Sequence, residues 1–441
     1  MKSVLGLDDP ETILRSIGPQ IYGSIAAIDG ARLSIAGLAG IARIGDRLMI
    51  ERSAGGPLPA EVIGVNAKML VAYAFGPPSG ASAGDSVLLD RRSAEARPSR
   101  AWIGSTLNWR GARFDGTEPA RGSQGFPLDA SPPPAPWRKK IGRRLSTGHA
   151  AFDTFLPLCR GQRIGLFAGS GIGKSMLLGG LSRNVDADVC VIALIGERGR
   201  EVRAFVEDTL GAEGMARSIV IASTSDESAL AKREGARLAM TVAEYFRTQG
   251  DQVLLIFDSL TRFAEAHREV ALAGGEPPSL HAFPPSTFNA IASLAERAGP
   301  GIDGEGDITA IFSVLVAGSD MEEPVADMVR GILDGHVILE RKIAERGRFP
   351  AIDVRRSVSR SLPAAASASE NALLADARAL LSAYEESELI IRAGLYTKGS
   401  DAIIDRAIRV FPALDRFFTQ VGDESPERRF DALQNILAEK Y

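Results

Sequence analysis

From about Tyr22 to Asp90, apolar residues come in short runs of strand length. Turn signals cut them at Asp29-Gly30, Gly40, Gly45-Asp46, Gly55-Gly56-Pro57 and Gly76-Pro77-Pro78. Strand-sized runs at such intervals predict a small all-β domain, and closure into a β-barrel would remove its exposed edges. This domain is assigned to 21–95. Asp9 to Ile17 predicts one or two helical turns within a short leading segment, 1–20. Proline then takes over: Pro127, Pro132, Pro133, Pro134 and Pro136 break any helix or inner strand and mark a linker, placed at 96–145. It ends in the basic cluster Arg138, Lys139, Lys140, Arg143 and Arg144, expected to be a solvated face.

From Gly161 the rhythm changes. Candidate strands at Arg163–Ala168, Val189–Ile195, Ser218–Ala222, Val253–Phe257 and Ile308–Val316 alternate with helical stretches such as Leu230–Arg247 and Ser286–Ala298. That alternation predicts a mostly parallel α/β sheet, assigned to 146–362. After Pro363 the strand signals vanish. Glu370–Glu385, Ala402–Val410 and Pro426–Glu439 carry apolar positions at helical spacing, as with Phe430, Leu433, Ile436 and Leu437, so 363–441 is expected to be helical. The predicted fold class is therefore α/β: a β-barrel, a mostly parallel α/β core and an α-helical tail.

Composition narrows the function more than the fold. The 441 residues are 45% hydrophobic and 24% charged, ordinary for a globular protein. A net charge of −4 supplies no global positive field for nucleic acid or acidic lipid. Cys159 and Cys190 are too few for a disulfide framework or a four-thiolate zinc site, and suit a reducing compartment. No apolar run approaches the roughly 20 residues that span a bilayer. The four histidines, His267 and His281 among them, lack ligand spacing. These features predict a soluble, cytoplasmic protein.

The strongest chemical signal is Ala168-Gly169-Ser170-Gly171-Ile172-Gly173-Lys174-Ser175, directly after a strand and before the helical Met176–Leu178. A phosphate cradle needs small residues so that backbone N–H groups converge on the anion at a helix N-terminus. Gly169 through Met176 are thus expected to bind ATP, with Lys174 reaching the β- and γ-phosphates and the Ser175 hydroxyl ligating Mg²⁺. A second Mg²⁺ ligand is expected at a neighbouring strand end, where Val253-Leu254-Leu255-Ile256-Phe257 is followed by Asp258. Hydrolysis also needs a base. Glu197 follows the run Val189–Ile195 at another strand's carboxyl end, where α/β sheets put ligands. Its local sequence alone would pass for a charged turn.

Together these segments resemble the rotary-type hexameric ATPases, and within them the flagellar branch of the type III protein-export ATPases. The resemblance runs from about Pro127 to Ala407. It rests on Phe167 to Ser175, Leu194-Ile195-Gly196-Glu197-Arg198-Gly199-Arg200-Glu201-Val202, Asp258-Ser259-Leu260-Thr261-Arg262-Phe263 and Gly275-Glu276-Pro277-Pro278. Pro324-Val325-Ala326-Asp327, Ile332 to His336 and Phe349-Pro350-Ala351-Ile352-Asp353 extend it. The resemblance implies that Glu197 activates the attacking water and Arg198 sits near the γ-phosphate. It also places Phe349 against adenine and makes Arg360, in Ser357-Val358-Ser359-Arg360, the finger that reaches a neighbouring subunit's site. Such a finger is worth roughly 10³–10⁵ in rate.

Glu197 and Arg360 share one chain, so a closed ring of identical copies would have a complete site at every interface, which predicts a homohexamer. The implied activity couples MgATP hydrolysis to export of flagellar proteins, at the cytoplasmic face of the inner-membrane export apparatus with peripheral membrane contact. Implied partners are a stator-like regulator, a coiled-coil stalk protein, the export gate, export substrates and chaperones. The virulence-type (injectisome) branch shares every catalytic residue and is the alternative. A hexameric RNA translocase would need aromatic stacking platforms and a basic groove in the β domain. Tyr22, Tyr73 and Phe75 are sparse there, and no nucleic-acid partner is expected.

Overall fold

The computed structural model describes residues 20–90, 94–316 and 321–438, so the helical turns expected at Asp9 to Ile17 lie outside the described residues. The chain forms two compact units. One holds the β domain with Ser228–Leu230 and Glu269–Pro277, and the other holds Glu95–Glu227, Ala231–Arg268 and everything from Pro278 onward.

In the first unit, β1 (Tyr22–Asp29), β2 (Arg32–Ala36), β3 (Arg47–Glu51), β4 (Leu58–Val65), β5 (Met69–Ala74) and β6 (Ser86–Asp90) close into a barrel, in the order β1-β2-β5-β4-β3-β6. Alternation along each strand sends one set of side chains inward. Leu33, Ile35, Ile50, Val62, Leu70 and Val87 fill the interior without solvent contact. The expected closed barrel is present.

The second unit is built on a twisted, mostly parallel sheet. Its strands are β7 (Thr106–Leu107), β8 (Arg163–Ala168), β9 (Val189–Glu197), β10 (Ser218–Thr224), β11 (Gln252–Asp258), β12 (Asp307–Leu315), β13 (Gly335–Leu339) and β14 (Val358–Ser359). They lie side by side as β14-β13-β8-β12-β11-β9-β10-β7, with β14 antiparallel to β13. Crossovers run through helices, among them α1 (Lys174–Asn184), α2 (Ala229–Thr248), α3 (Leu260–Ala273), α4 (Pro285–Arg297), α5 (Pro324–Ile332) and the short α6 (Arg341–Glu345). Sandwiched strands have no solvated face, which is why β9 and β11 are apolar at nearly every position. The carboxyl ends of β9, β11, β12 and β8 emerge side by side.

Three helices complete the unit: α7 (Ala368–Arg392), α8 (Ala402–Phe417) and α9 (Pro426–Ala438). A capping box starts α7, where the Ser367 hydroxyl accepts from the Glu370 amide and the Glu370 carboxylate accepts from the Ser367 amide at 2.7 Å. Asp401 caps α8 with its carboxylate alone, which accepts from the Ile403 and Ile404 amides. Leu374, Leu381, Val410, Leu414, Phe417 and Leu433 join the core that holds Leu166, Leu178 and Ile192, so these helices are packed against the α/β layers.

The basic cluster departs from its expected solvated face. Arg138 pairs with Glu296 at 3.3 Å, Lys139 with Asp307 at 2.8 Å and Arg144 with Glu370 at 3.0 Å, each drawn largely out of water. Lys140 and Arg143 remain exposed. The charges fasten the linker to the sheet unit because each lands beside a carboxylate from a different element.

Candidate active site

The β8–α1 connection is shaped by glycine. Gly171 (φ +77°) and Gly173 (φ +86°) adopt left-handed conformations that a side chain disfavours. Ile172 is buried and anchors the loop, whereas Ser175 and Met176 are exposed at the start of α1. Gly173 is the N-cap of α1 and offers no capping side chain. Among the described residues, the amides of Gly171, Ile172 and Gly173 make no hydrogen bond within the chain. Free amides at a helix start form an anion cradle.

The neighbouring strand ends bring carboxylates to this cradle. Lys174 places its ammonium on Asp258 Oδ1 and 3.8 Å from Glu197 Oε1. Asp258 is only 4% exposed, and the Ser313 hydroxyl on β12 donates to the same oxygen. Register explains the meeting: Phe257 pairs with Phe312, which puts Asp258 beside Ser313, and Leu194 pairs with Asp258.

Glu197 reaches the site through a bulge. The β9–β10 register shifts between Ile195 and Glu197, where Gly196 has φ +74°. A Cβ at Gly196 would lie 3.0 Å from the Cβ and Cγ of Arg262, so this glycine also permits a close approach. Burial pushes the Glu197 carboxyl up to about 7; the charge of Asp258 adds to the shift and Lys174 opposes it. Glu201 is held below the usual carboxylate range by hydrogen bonds from Glu197 and from Arg198, whose Nη1 lies 2.7 Å from Glu201. Arg262 donates to Glu265 at 2.8 Å, and the carboxylates of Glu265 and Glu197 favour its charge.

Phe349 flanks the cradle. Its ring is half exposed, and a Cβ on Gly173 would stand 3.2 Å from its Cδ1. A flat apolar face therefore lies open beside the phosphate loop.

Arg360 is not part of this cluster. It follows β14, with its amide donating to the Asp334 carbonyl at 3.0 Å and its guanidinium to the Arg330 carbonyl at 3.2 Å. Ala168 pairs with Leu339, and Gly335 pairs with Ser359, four residues earlier on β13. Arg360 thus lies roughly 13 Å along the strands and about 10 Å across them from the phosphate loop.

Lys174, Asp258 and Glu197 are brought together as the sequence predicts. Ser313, Gly196 and Arg262 complete the arrangement and were not anticipated. One signal existed for Ser313, a lone hydroxyl inside the apolar run of β12. The cluster combines an anion cradle, an ammonium, hard oxygen donors and a carboxyl poised near neutrality, which suits phosphoanhydride chemistry. Among the described residues, no helix is long and apolar enough to cross a membrane.

Known proteins share this architecture. Residues 148–359 match the nucleotide-binding domain of the ATP synthase alpha/beta family, and 366–437 match the T3SS EscN ATPase C-terminal domain. The flagellum-specific ATP synthase of Caulobacter vibrioides is 45% identical over 431 residues, 96% of this chain and 97% of that protein. Its counterpart in Salmonella typhimurium is 42% identical over 410 residues, 90% of this chain and 89% of that protein. The assembled ATPase EscN of the enteropathogenic E. coli type III secretion system superposes with a TM-score of 0.87 at 36% identity, over 94% of this chain and 100% of that one. EscN in complex with its central stalk EscO gives 0.85 at 37% identity, with the same coverage. With its phosphate cradle, its clustered carboxylates and this likeness along nearly the whole chain, the protein is a nucleotide-binding ATPase that belongs to the ATP synthase alpha/beta family, with the flagellum-specific ATP synthases and type III secretion ATPases.

Proposed function

We propose that the chain is the ATP-hydrolysing motor of a flagellar type III protein export apparatus, acting as a homohexamer. The observation that carries this reading is the division of the site. Lys174, Glu197 and Asp258 converge at the strand ends, while Arg360 lies at the opposite end of the strands, away from its own phosphate loop, which supports its use by another copy. Support for the flagellar branch over virulence-type secretion comes from relatives at 42% and 45% identity, both flagellum-specific ATP synthases.

In this mechanism the free amides of Gly171 to Gly173 and the amides that open α1 hold the phosphates, and Lys174 transfers its ammonium from Asp258 to the β- and γ-phosphates. That Asp258 already carries a cation, together with its hard oxygen and the exposed Ser175 hydroxyl, fits Mg²⁺. When bound there, Mg²⁺ supplies positive charge against the phosphate oxygens. Glu197 accepts the proton of the attacking water, a task its position near neutrality suits. Arg198 faces the γ-phosphate once released from Glu201. Phe349 packs on adenine, and Arg360 of one protomer stabilises the phosphoryl group transferred in the next.

The functional divisions follow as barrel 21–95, linker 96–145, ATPase domain 146–362 and helical domain 363–441. EscN assembles with a central stalk, which supports a coiled-coil stalk partner here. The stator-like regulator, the export gate, substrates and chaperones complete the set. The work is done in the cytoplasm, peripherally at the inner-membrane export apparatus, without nucleic acid.

The test is ATPase rate against protein concentration, with and without RNA, alongside mass by light scattering. A rate per subunit that climbs steeply as a hexamer forms, indifferent to RNA, is expected. A concentration-independent monomer rate would overturn the shared site, and stimulation by RNA would move the protein to the translocases.

A further inference from the structure

Parallel pairing of β8 with β13 brings their carboxyl ends out together, Ala168 beside Leu339. The phosphate loop follows Ala168, and Glu340 then Arg341, the first residue of α6, follow Leu339. Arg341 is exposed, and among the described residues it has no ion pair. Among the described residues its side chain makes one hydrogen bond, from Nη2 to the backbone carbonyl of Ser170, at 3.1 Å. Every other arginine between Glu340 and Arg356 pairs with a carboxylate: Arg346 with Glu388, Arg348 with Asp415, Arg355 with Glu385 and Arg356 with Glu340. Arg341 alone spends its charge on the phosphate loop.

The peptide that it holds has a consequence for the cradle. The Ser170–Gly171 bond is trans, so its C=O and N–H point in opposite directions across one rigid plane. A carbonyl turned out toward Arg341 fixes the Gly171 N–H on the other side. That N–H has no acceptor among the described residues. Glycine at 171 makes this plane easy to flip, because glycine populates positive and negative φ about equally. A flipped plane would aim a carbonyl oxygen, not a donor, at the phosphates.

We propose that Arg341 is a positioning residue for ATP: it pins the Ser170 carbonyl outward and so keeps the Gly171 N–H aimed into the phosphate cradle. It touches the loop and not the reacting atoms. Phe349, ten residues from its own strand end, leans on Gly173 at the other end of the same loop. The two side chains clasp the cradle between them, one through a carbonyl and one through packing.

Exposure makes the test tractable, because removing an exposed side chain seldom costs the fold. Nucleotide affinity of full-length Arg341→Ala is measured by competition against a fluorescent ATP analogue. Binding of ATP and ADP is expected to weaken about tenfold, the effect of losing one charge-assisted hydrogen bond, with kcat at saturation nearly kept. Adenosine, which has no phosphate, should bind as before. Arg341→Lys, which keeps charge and donor, should recover most of the loss. Unchanged ATP affinity overturns the proposal. So does an equal loss for adenosine, or an Arg341→Lys protein that binds ATP as weakly as Arg341→Ala. Where Arg341→Ala fails to fold, Arg341→Lys carries the same comparison, and its behaviour must lie between the wild type and a non-binding Lys174→Ala control.

Discussion

At the scale of the residue, Glu197 is held by opposing forces. Burial and Asp258 favour its protonated form, Lys174 favours the carboxylate, and the balance falls at about 7. A base in that position gains activity as it ionises, so turnover should rise with pH through about 7 and then level off. Stability should move the other way. Between an ordinary carboxyl value near 4.5 and about 7, the folded protein holds a proton that the unfolded chain has released. Stability therefore falls across that window and the full cost persists above it. Glu197→Gln removes both effects. Turnover should drop by roughly 10²–10⁴ while MgATP still binds, and the variant should melt higher than wild type at pH 8 but not near pH 4.5. Normal turnover would remove Glu197 from the role of base. A lower melting temperature at pH 8 would contradict a desolvated carboxyl. Lys174 was legible from the glycine-rich loop that precedes it and Asp258 from the apolar run it ends, whereas Glu197, though it follows such a run, was lifted above a charged turn only by the family resemblance. Ser313 and Arg262 were not legible, since their contacts depend on strand register and on a glycine, neither of which is written in a residue's own type.

At the scale of the element, the bulge in β9 decides where that carboxyl points. Gly196 combines a left-handed backbone with close packing on Arg262, and either alone would resist a side chain. Gly196→Ala adds about 1–2 kcal/mol of backbone strain and a contact near the Arg262 backbone that cannot swing away. The bulge should relax and turn Glu197 from its place 3.8 Å from Lys174. The expected outcome is a kcat lower by about tenfold or more with nucleotide affinity nearly intact, because the β8–α1 loop is untouched. An unchanged kcat would show that the bulge does not set the geometry. Elements differed in legibility for a related reason. β8, β9 and β11 are central strands, and their unbroken apolar runs announce them. β7 and β14 are two residues long and carry no period, and β13 opens with Gly335-His336, which looks like a turn. The C-terminal helices were visible from their apolar spacing, yet α7 begins two residues earlier than expected and continues past Glu385 to Arg392. Its capping box fixes the start, and its last turns leave Leu389 81% exposed, so no buried stripe marks the end.

At the scale of the whole molecule, the separation of Arg360 from the phosphate loop turns a structural fact into a counting experiment. In one protomer Arg360 and the cradle sit at opposite ends of the strands, so the proposed finger requires a second copy in the active unit. Arg360→Ala protein has an intact cradle and no finger; Lys174→Ala protein has a finger and no working cradle. Each alone should be inactive. When equal amounts co-assemble at random in a closed ring, an interface is competent if the cradle comes from the first protein and the finger from the second. That happens at about one interface in four, so the mixture should recover up to roughly a quarter of the wild-type rate where interfaces act independently. Cooperation around the ring would lower the figure, and recovery survives as long as three working interfaces suffice for turnover, because alternating rings restore complete sites at every second interface. A finger acting within its own chain predicts no recovery at any ratio, since every chain lacks one half of its site. Recovery that peaks at equal mixing, in rings shown by mass to contain both chains, is therefore the signature of a shared site, and a flat baseline across all ratios excludes a shared site in any ring that turns over with three working interfaces.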